Sequence, residues 1–423
     1  SAMPLVVGVS AILGSFLIIY LLTLFTGVSI FALNLITGLG LGLGIDYSLL
    51  IVNRFREELH AGKSVEESIV NTVTTAGKTV FYSGLTVVLT LVALIMFPQM
   101  FLKSFGYAGV TVVIMAVLGA LIALPALLAM LGNKIDNVVV RKSAITPKED
   151  GRWADTARFV MRKPISVVVL SLIILTVLAA PIKNIVFSQV DSRVLPDSNP
   201  AATAARVILE RFPGQEGNPI EIIVPKGAFM GTQINQYTSE IAKVPGIVRI
   251  GDSQVAGDDV RVTAIHSMGP RTPEAQELIT KVRAIRAPEG TLIGGVAADY
   301  TDTQDGIAAT LPWALLWIAI GVMILLFVFT GSIILPIKAV LLNILSLAAT
   351  LGAVTWIFVE GHLKWLVGDF TVTGAVDTGS IILIAVVTFG LSMDYEVFLL
   401  SRIKEEHEAG KSNIESVATG LQR

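Results

Sequence analysis

The sequence predicts a helical membrane bundle that carries one α+β domain outside the bilayer. Three observations predict it. The 423 residues are 53% hydrophobic, with a mean hydropathy of +0.74, and several apolar runs are longer than the roughly 18 residues that mark a spanning helix. One long polar stretch, 185–311, interrupts these runs and alternates between strand-like and helix-like periods. Finally, Gly42–Ser68 and Gly390–Ser416 agree at about half of their positions when Asp46 is set against Asp394, the mark of an internal duplication.

Taken in order, the apolar runs place eight spans at 4–25, 30–53, 78–97, 104–131, 164–183, 312–330, 333–358 and 378–400. The first is too long for a signal-peptide core and lacks a basic flank, so it reads as a span. Arg54, Arg56 and Lys63 follow the second span, and Lys134, Arg152 and Lys163 lie between the fourth and fifth. Lys338 lies by the turn after the sixth, and Arg402, Lys404 and Lys411 follow the eighth. With alternating spans all of these fall on one side, which the positive-inside rule makes cytoplasmic. Residues 185–311 then lie outside.

The polar stretch predicts a helix at 201–213, then strand 219–225, helix 231–243, strands 246–251 and 259–266, helix 272–286 and strand 291–297. Ile220–Val224 and Val260–Ile265 carry the β-rich patterns, and Thr272-Pro273 is a helix start. After the first helix the order is βαββαβ, a split βαβ unit of ferredoxin-like kind. The division that follows is 1–132 for the first spans, 133–163 for a basic, flexible cytoplasmic linker, 164–184 for a span and 185–311 for the external domain. Spans then occupy 312–400. Charged segments 54–77 and 401–423 are expected to be elbow helices on the cytoplasmic surface.

The duplication also sets an expectation about length. If the two halves are equal, the sequence corresponds to eight spans of twelve. A first span, external domain and second span of about 185 residues, and two last spans of roughly 55, would complete the symmetric design.

The chemistry lies in the duplicated spans. Asp46-Tyr47 and Asp394-Tyr395 occupy matching positions. A carboxylate at a bilayer centre costs on the order of 2.5–3.5 kcal/mol on insertion scales, so intramembrane acids are read first as functional. An apolar surrounding disfavours the charged form of a carboxylic acid, which can then take up and release a proton near neutral pH. A phenol can donate to a carboxylate without carrying charge. Crossed pairs are expected, Asp46 with Tyr395 and Asp394 with Tyr47. The competing reading is a structural acid tied to backbone. Ser83, in the third span, either joins this relay or bonds back to its own helix. Gly38, Gly40, Gly42 and Gly44 form two small-xxx-small pairs for close helix packing, with Gly390 as their counterpart in the second copy.

Other classes find little support. There is no cysteine, and the four histidines are scattered, so neither a metal nor a cofactor is expected. A net charge of −2 gives no footprint for nucleic acid. Ala-Gly-Lys-Ser at 61–64 lacks the upstream Gly of a phosphate loop. Asp299, Asp302 and Asp305 are wrongly spaced for a calcium loop. No set of residues in the external stretch suggests an enzyme.

The motifs Gly44–Glu58 and Gly390–Glu406 resemble those of the mycobacterial membrane protein large (MmpL) branch of the resistance-nodulation-division superfamily, and the likeness covers essentially the whole chain. This resemblance implies a bacterial plasma-membrane secondary transporter, of an actinobacterial kind. It would export envelope lipids or glycolipids, mycolate-bearing ones among them, on proton influx. Its partners would be protons, membrane lipids and accessory envelope proteins. In that family the two Asp-Tyr pairs form the proton relay, and they match Asp46, Tyr47, Asp394 and Tyr395. The multidrug branch differs, with adjacent acids in one central span and a Lys in the other. Two other readings stay open: a proton-coupled pump for drugs or small amphiphiles, and a non-transporting envelope scaffold or translocation aid.

Overall fold

A computed structural model describes residues 3–136, 151–196, 198–212, 214–368 and 370–422. From the N-terminus the chain forms α1 (Met3–Thr23), α2 (Ala32–His60), α3 (Val65–Thr72), α4 (Lys78–Ile95), α5 (Met100–Leu118), α6 (Leu124–Leu131), α7 (Arg152–Arg162) and α8 (Pro164–Ala179). Next come β1 (Phe187–Ser188), α9 (Pro200–Arg211), β2 (Ile220–Val224), α10 (Gly231–Ile241), β3 (Ile247–Ile250), β4 (Gln254–Ala256), β5 (Asp259–His266), α11 (Pro273–Ala284) and β6 (Leu292–Gly294). The last part holds α12 (Val296–Thr330), α13 (Ile334–Val354), α14 (Lys364–Val367), β7 (Val376–Asp377), α15 (Thr378–Glu408) and α16 (Asn413–Gln422). Among the described residues, 8 helical segments are long and apolar enough to cross a membrane, and they fall where the eight runs place them.

Two compact units result. One comprises Ser1–Ile182, Thr310–Ala353 and Ile382–Arg423, the other Lys183–Ala309 and Val354–Ile381. In the first, α1 packs on α2 and α5, and α4 packs on α5. Its core carries an apolar seam that includes Ile36, Leu43, Ile51, Val80, Leu91 and Val112. Because lipid tails are as apolar as these side chains, close packing and interhelical hydrogen bonds hold such helices together.

The segments expected to be elbow helices are built differently. Residues 54–77 do not form one helix. The second span continues through Arg54 to His60, and a new helix starts at Val65 and runs through a π-turn at Val73–Gly77 into α4. The Ala-Gly-Lys-Ser motif is the stop and restart. Gly62 has φ +86°, a conformation that favours glycine. Ser64 caps α3 in a reciprocal box with Glu67. The second copy repeats this plan: Gly410 has φ +90°, and the Glu415 backbone N–H donates to the Ser412 hydroxyl at 3.4 Å. Of the expected linker, 137–150 lies outside the described residues. The remainder is not extended chain, since α7 packs Ala154 and Ala157 against Ala418 of α16.

The second unit holds a five-stranded sheet in the order β3-β5-β2-β6, with β4 paired to β5 and every pairing antiparallel. Alternate residues Ile220, Ile222 and Val224 face Val260, Val262 and Ala264 in one core, which α10 and α11 cover with Ile234, Tyr237, Leu278, Ile279 and Val282. The sequence pattern does not predict β4, or the parallel pair of β1 with β7, because strands of two or three residues carry no period. It also ends the sixth strand too late: Val296 already belongs to α12. Residues 354–381, which include the loop between the spans expected at 333–358 and 378–400, belong to this unit.

Ile222→Ala should destabilise this unit by about 2–5 kcal/mol through the cavity it leaves, visible as a lowered melting temperature. A pH effect is expected at His266. It is fully buried, with Nε2 3.0 Å from the Asn218 carbonyl. Burial pushes its imidazole below the usual range, opposed by backbone contacts with Asn218 and Met268. The unfolded chain then binds the extra proton first, so stability falls as pH drops below about 6.5 and on toward the depressed folded value. Melting of the purified protein between pH 7.5 and 5.5 checks this, and His266→Gln should flatten the dependence.

Candidate functional site

The site forms where the two copies of the repeat meet. On α2 and α15, the Tyr395 hydroxyl donates to Asp46 Oδ2 at 2.9 Å, one of the two crossed contacts expected. The other is not made. Tyr47, Asp394 and Ser83 are all fully buried, yet both Asp394 carboxyl oxygens have no hydrogen-bond partner among the described residues, and the Tyr47 and Ser83 hydroxyls face only each other. The reason lies in packing. The Tyr47 ring lies 6.1 Å from the Phe398 ring, and its hydroxyl lies over Gly84, beside Ser83. There it faces Asp394 without bonding to it. Ser83 accordingly does not bond back to its own helix. Phe398 also lies 6.4 Å from the Tyr395 ring, so one aromatic ring neighbours both tyrosines.

The glycines divide. A side chain at Gly44 would run into the backbone of Gly8 on α1, and one at Gly40 into Ile12 and Val112. Gly390 meets Thr90 and the backbone of Val87 on α4. Gly38 and Gly42 meet nothing within 4 Å, so the expectation of two packing pairs is corrected to one. Residues two apart on a helix point roughly 200° away from each other, and the two pairs could not serve one neighbour.

Below the tyrosines lies a charge cluster that the sequence reading passed over. Arg54 pairs with Glu405 of the other copy at 2.6 Å and with Glu58 of its own at 2.9 Å. Arg402 approaches Glu57 at 3.9 Å and Glu405 at 3.4 Å. Lys63–Glu58 at 2.6 Å is mirrored by Lys411–Glu406 at 2.9 Å. Duplicated charges thus meet as crossed and local pairs. Thr79 and Ser401 hydroxyls lie 2.7 Å apart between α4 and α15, and the Asn343 amide on α13 contacts the Met393 sulfur at 3.4 Å. Helical spacing offered a signal for the hydroxyls: Thr79 is one turn from Ser83, and Ser401 two turns from Asp394. Elsewhere in this unit an apolar groove of about 660 Å³ runs between α4 and α12, lined by Leu85, Leu89, Trp313, Trp317 and Ile324. Among the described residues no group of three or more His, Asp or Glu could hold a metal.

A multi-pass membrane protein with a duplicated acid–tyrosine helix at its centre is the class that this fold and site define. The chain belongs to the MMPL family, whose model matches residues 3–167 and 193–423. It is 36% identical over its whole length to a membrane protein of Streptomyces coelicolor, of which it covers 58%. It is 32% identical to the trehalose monomycolate exporter MmpL3 of Mycobacterium tuberculosis (99% of this chain, 49% of MmpL3). It is 30% identical to the mycolic acid-containing lipids exporter MmpL11 of Mycolicibacterium smegmatis (100% of this chain, 46% of MmpL11). The chain therefore spans about half the length of the curated relatives it matches. Among solved structures, the translocon-associated SecDF covers 100% of this chain and 55% of its own at 15% identity, with a TM-score of 0.48, a level that supports no further conclusion.

The glycine geometry makes a paired prediction. Gly44→Val should prevent α1 from reaching α2 and sharply reduce the yield of folded protein. Gly42→Ala, which meets open space and raises helix propensity by up to about 1 kcal/mol, should leave it unchanged. Size-exclusion profiles of the two variants in detergent decide.

Proposed function

We propose that this chain belongs to a secondary transporter, not an enzyme, that exports cell-envelope lipids or glycolipids across the bacterial plasma membrane on proton influx. The observation that carries the reading is the asymmetric crossing of the duplicated Asp-Tyr pairs: one bond made, one acid buried without a partner. An unpartnered buried charge is costly, so this geometry suits a state in which Asp394 holds a proton while Asp46 accepts from Tyr395. In the proposed cycle a proton from the external side neutralises Asp46 and weakens its bond to Tyr395. The two helices shift, and the roles of the two acids exchange. Ser83 and Tyr47 act as accessory groups. The driving force is about 2.3 kcal/mol per charge per 100 mV, plus the pH difference.

Lipid cargo is supported by the names of the exporters it resembles and by an apolar groove fit for hydrocarbon. The sheet order β3-β5-β2-β6, with helices α10 and α11 on the crossovers, supports reading the second unit as a ferredoxin-like domain on the external side, where it would receive cargo. One relative, MmpL11 of Mycobacterium tuberculosis at 27% identity, is named a heme uptake protein, which favours a small amphiphile as the second reading.

Asp46→Asn and Asp394→Asn, each nearly isosteric, should fold and insert normally yet abolish proton uptake by vesicles holding the full-length protein. Proton flux at the wild-type rate in both variants would sink the relay. Lipid profiling of a depleted strain identifies the cargo: an accumulating envelope lipid supports export, and an unchanged envelope points to the amphiphile.

A further inference from the structure

The charge cluster and the acids of the site are separated by a polar feature that the relay described above does not use. The Thr79 and Ser401 hydroxyls, 2.7 Å apart, join α4 to α15. Thr79 is buried, and its only other hydrogen-bond contact among the described residues is a long one, 3.5 Å to the Thr75 carbonyl. Both hydroxyls line a cavity of about 230 Å³ that Thr75, Arg54, Arg402 and Glu405 also line. On its other side, one helical turn along α4, lies Ser83, whose buried hydroxyl faces the Tyr47 hydroxyl and meets no other polar partner among the described residues.

We propose that Thr79 and Ser401 are the step by which protons leave the Asp-Tyr site for the cytoplasm, with the cavity as its water-filled mouth. The inference rests on the proton-driven reading above. A hydroxyl suits this place because it accepts a proton on oxygen while releasing its own, so nothing accumulates and no charge stays in the apolar layer. The balance is simple. A carboxylic acid of the site gives up its proton, the hydroxyls pass one on by exchange, and water in the cavity accepts it. The rise from Ser83 to Thr79 is about 6 Å, a gap that one water bridges, and the paired Ser83 and Tyr47 hydroxyls supply its partners. Carboxylates at the mouth, Glu405 and Glu408, and the cations Arg54, Lys78, Arg402 and Lys404 line the same cavity. They keep it hydrated and hold the two repeats in register. A static clamp between helices would need the 2.7 Å contact but neither the cavity nor the buried Ser83 and Tyr47 hydroxyls above it.

The test uses full-length protein in proteoliposomes with an entrapped pH dye. Thr79→Val combined with Ser401→Ala should slow proton influx at least about tenfold, and Thr79→Ser in place of Thr79→Val should restore part of it. A clamp would lower the melting temperature and leave flux per folded molecule unchanged. If the double variant conducts like wild type while Asp46→Asn and Asp394→Asn do not, the relay stands and this exit falls. If the Asp variants conduct normally, the relay itself falls, and the exit with it. A second measurement needs no conducting protein. The sequence contains no cysteine, so Ser401→Cys adds the first thiol to these residues, and the parent full-length protein serves as the labelling control. A membrane-impermeant thiol reagent should label that thiol from the cytoplasmic face and not from the external one. Absence of cytoplasmic labelling overturns the proposal.

Discussion

Everything else in the first unit is arranged around the problem of keeping carboxyl groups between two helices where water is scarce. An ionised Asp46 cannot be satisfied within its own helix, because backbone carbonyls are acceptors and offer a carboxylate nothing. A donor has to come from elsewhere. Asp46 receives it from Tyr395 of the opposite copy, so the hydrogen bond exists only while α2 and α15 stay side by side. Interhelical hydrogen bonds in membranes average about 0.6 kcal/mol, too little to lock a bundle. Such a contact is suited to being made and broken.

The stiffer restraint lies two to three turns away. Arg54 reaches across to Glu405 and down its own helix to Glu58, and its side chain is largely enclosed. Removing one partner of such a pair costs more than the pair contributes, because the remaining charge stays buried. The duplicated Arg, Glu and Lys positions are therefore held together by geometry, and their identity in both copies has a structural cause apart from any proton chemistry. A weak central contact beside a firm charged one lets the acids respond to a proton without the helices separating.

The two copies are nonetheless not equivalent in this state. Tyr395 is half exposed while Tyr47 is wholly enclosed, and Phe398 has no aromatic counterpart in the first copy, where Leu50 stands. That difference places a ring beside Tyr47. A duplicated sequence thus yields one closed and one open contact, an asymmetry that a relay with two states would exploit.

Much of this was readable in the chain. Apolar runs located the eight spans because the bilayer imposes a length, and the regular elements of the second unit followed from period and turn chemistry in segments long enough to have a period. The two Asp-Tyr pairs stood out because charge in an apolar run is expensive. What tertiary structure alone decided concerns partners far apart in the chain. Which of the two crossed contacts forms, which glycine pair touches α1, why α2 continues through Arg54 to His60, and that Thr79 finds Ser401 all depend on side chains hundreds of residues away or on another helix. Local propensity holds no information about those neighbours, because the free energy that selects them arises only once the helices are packed.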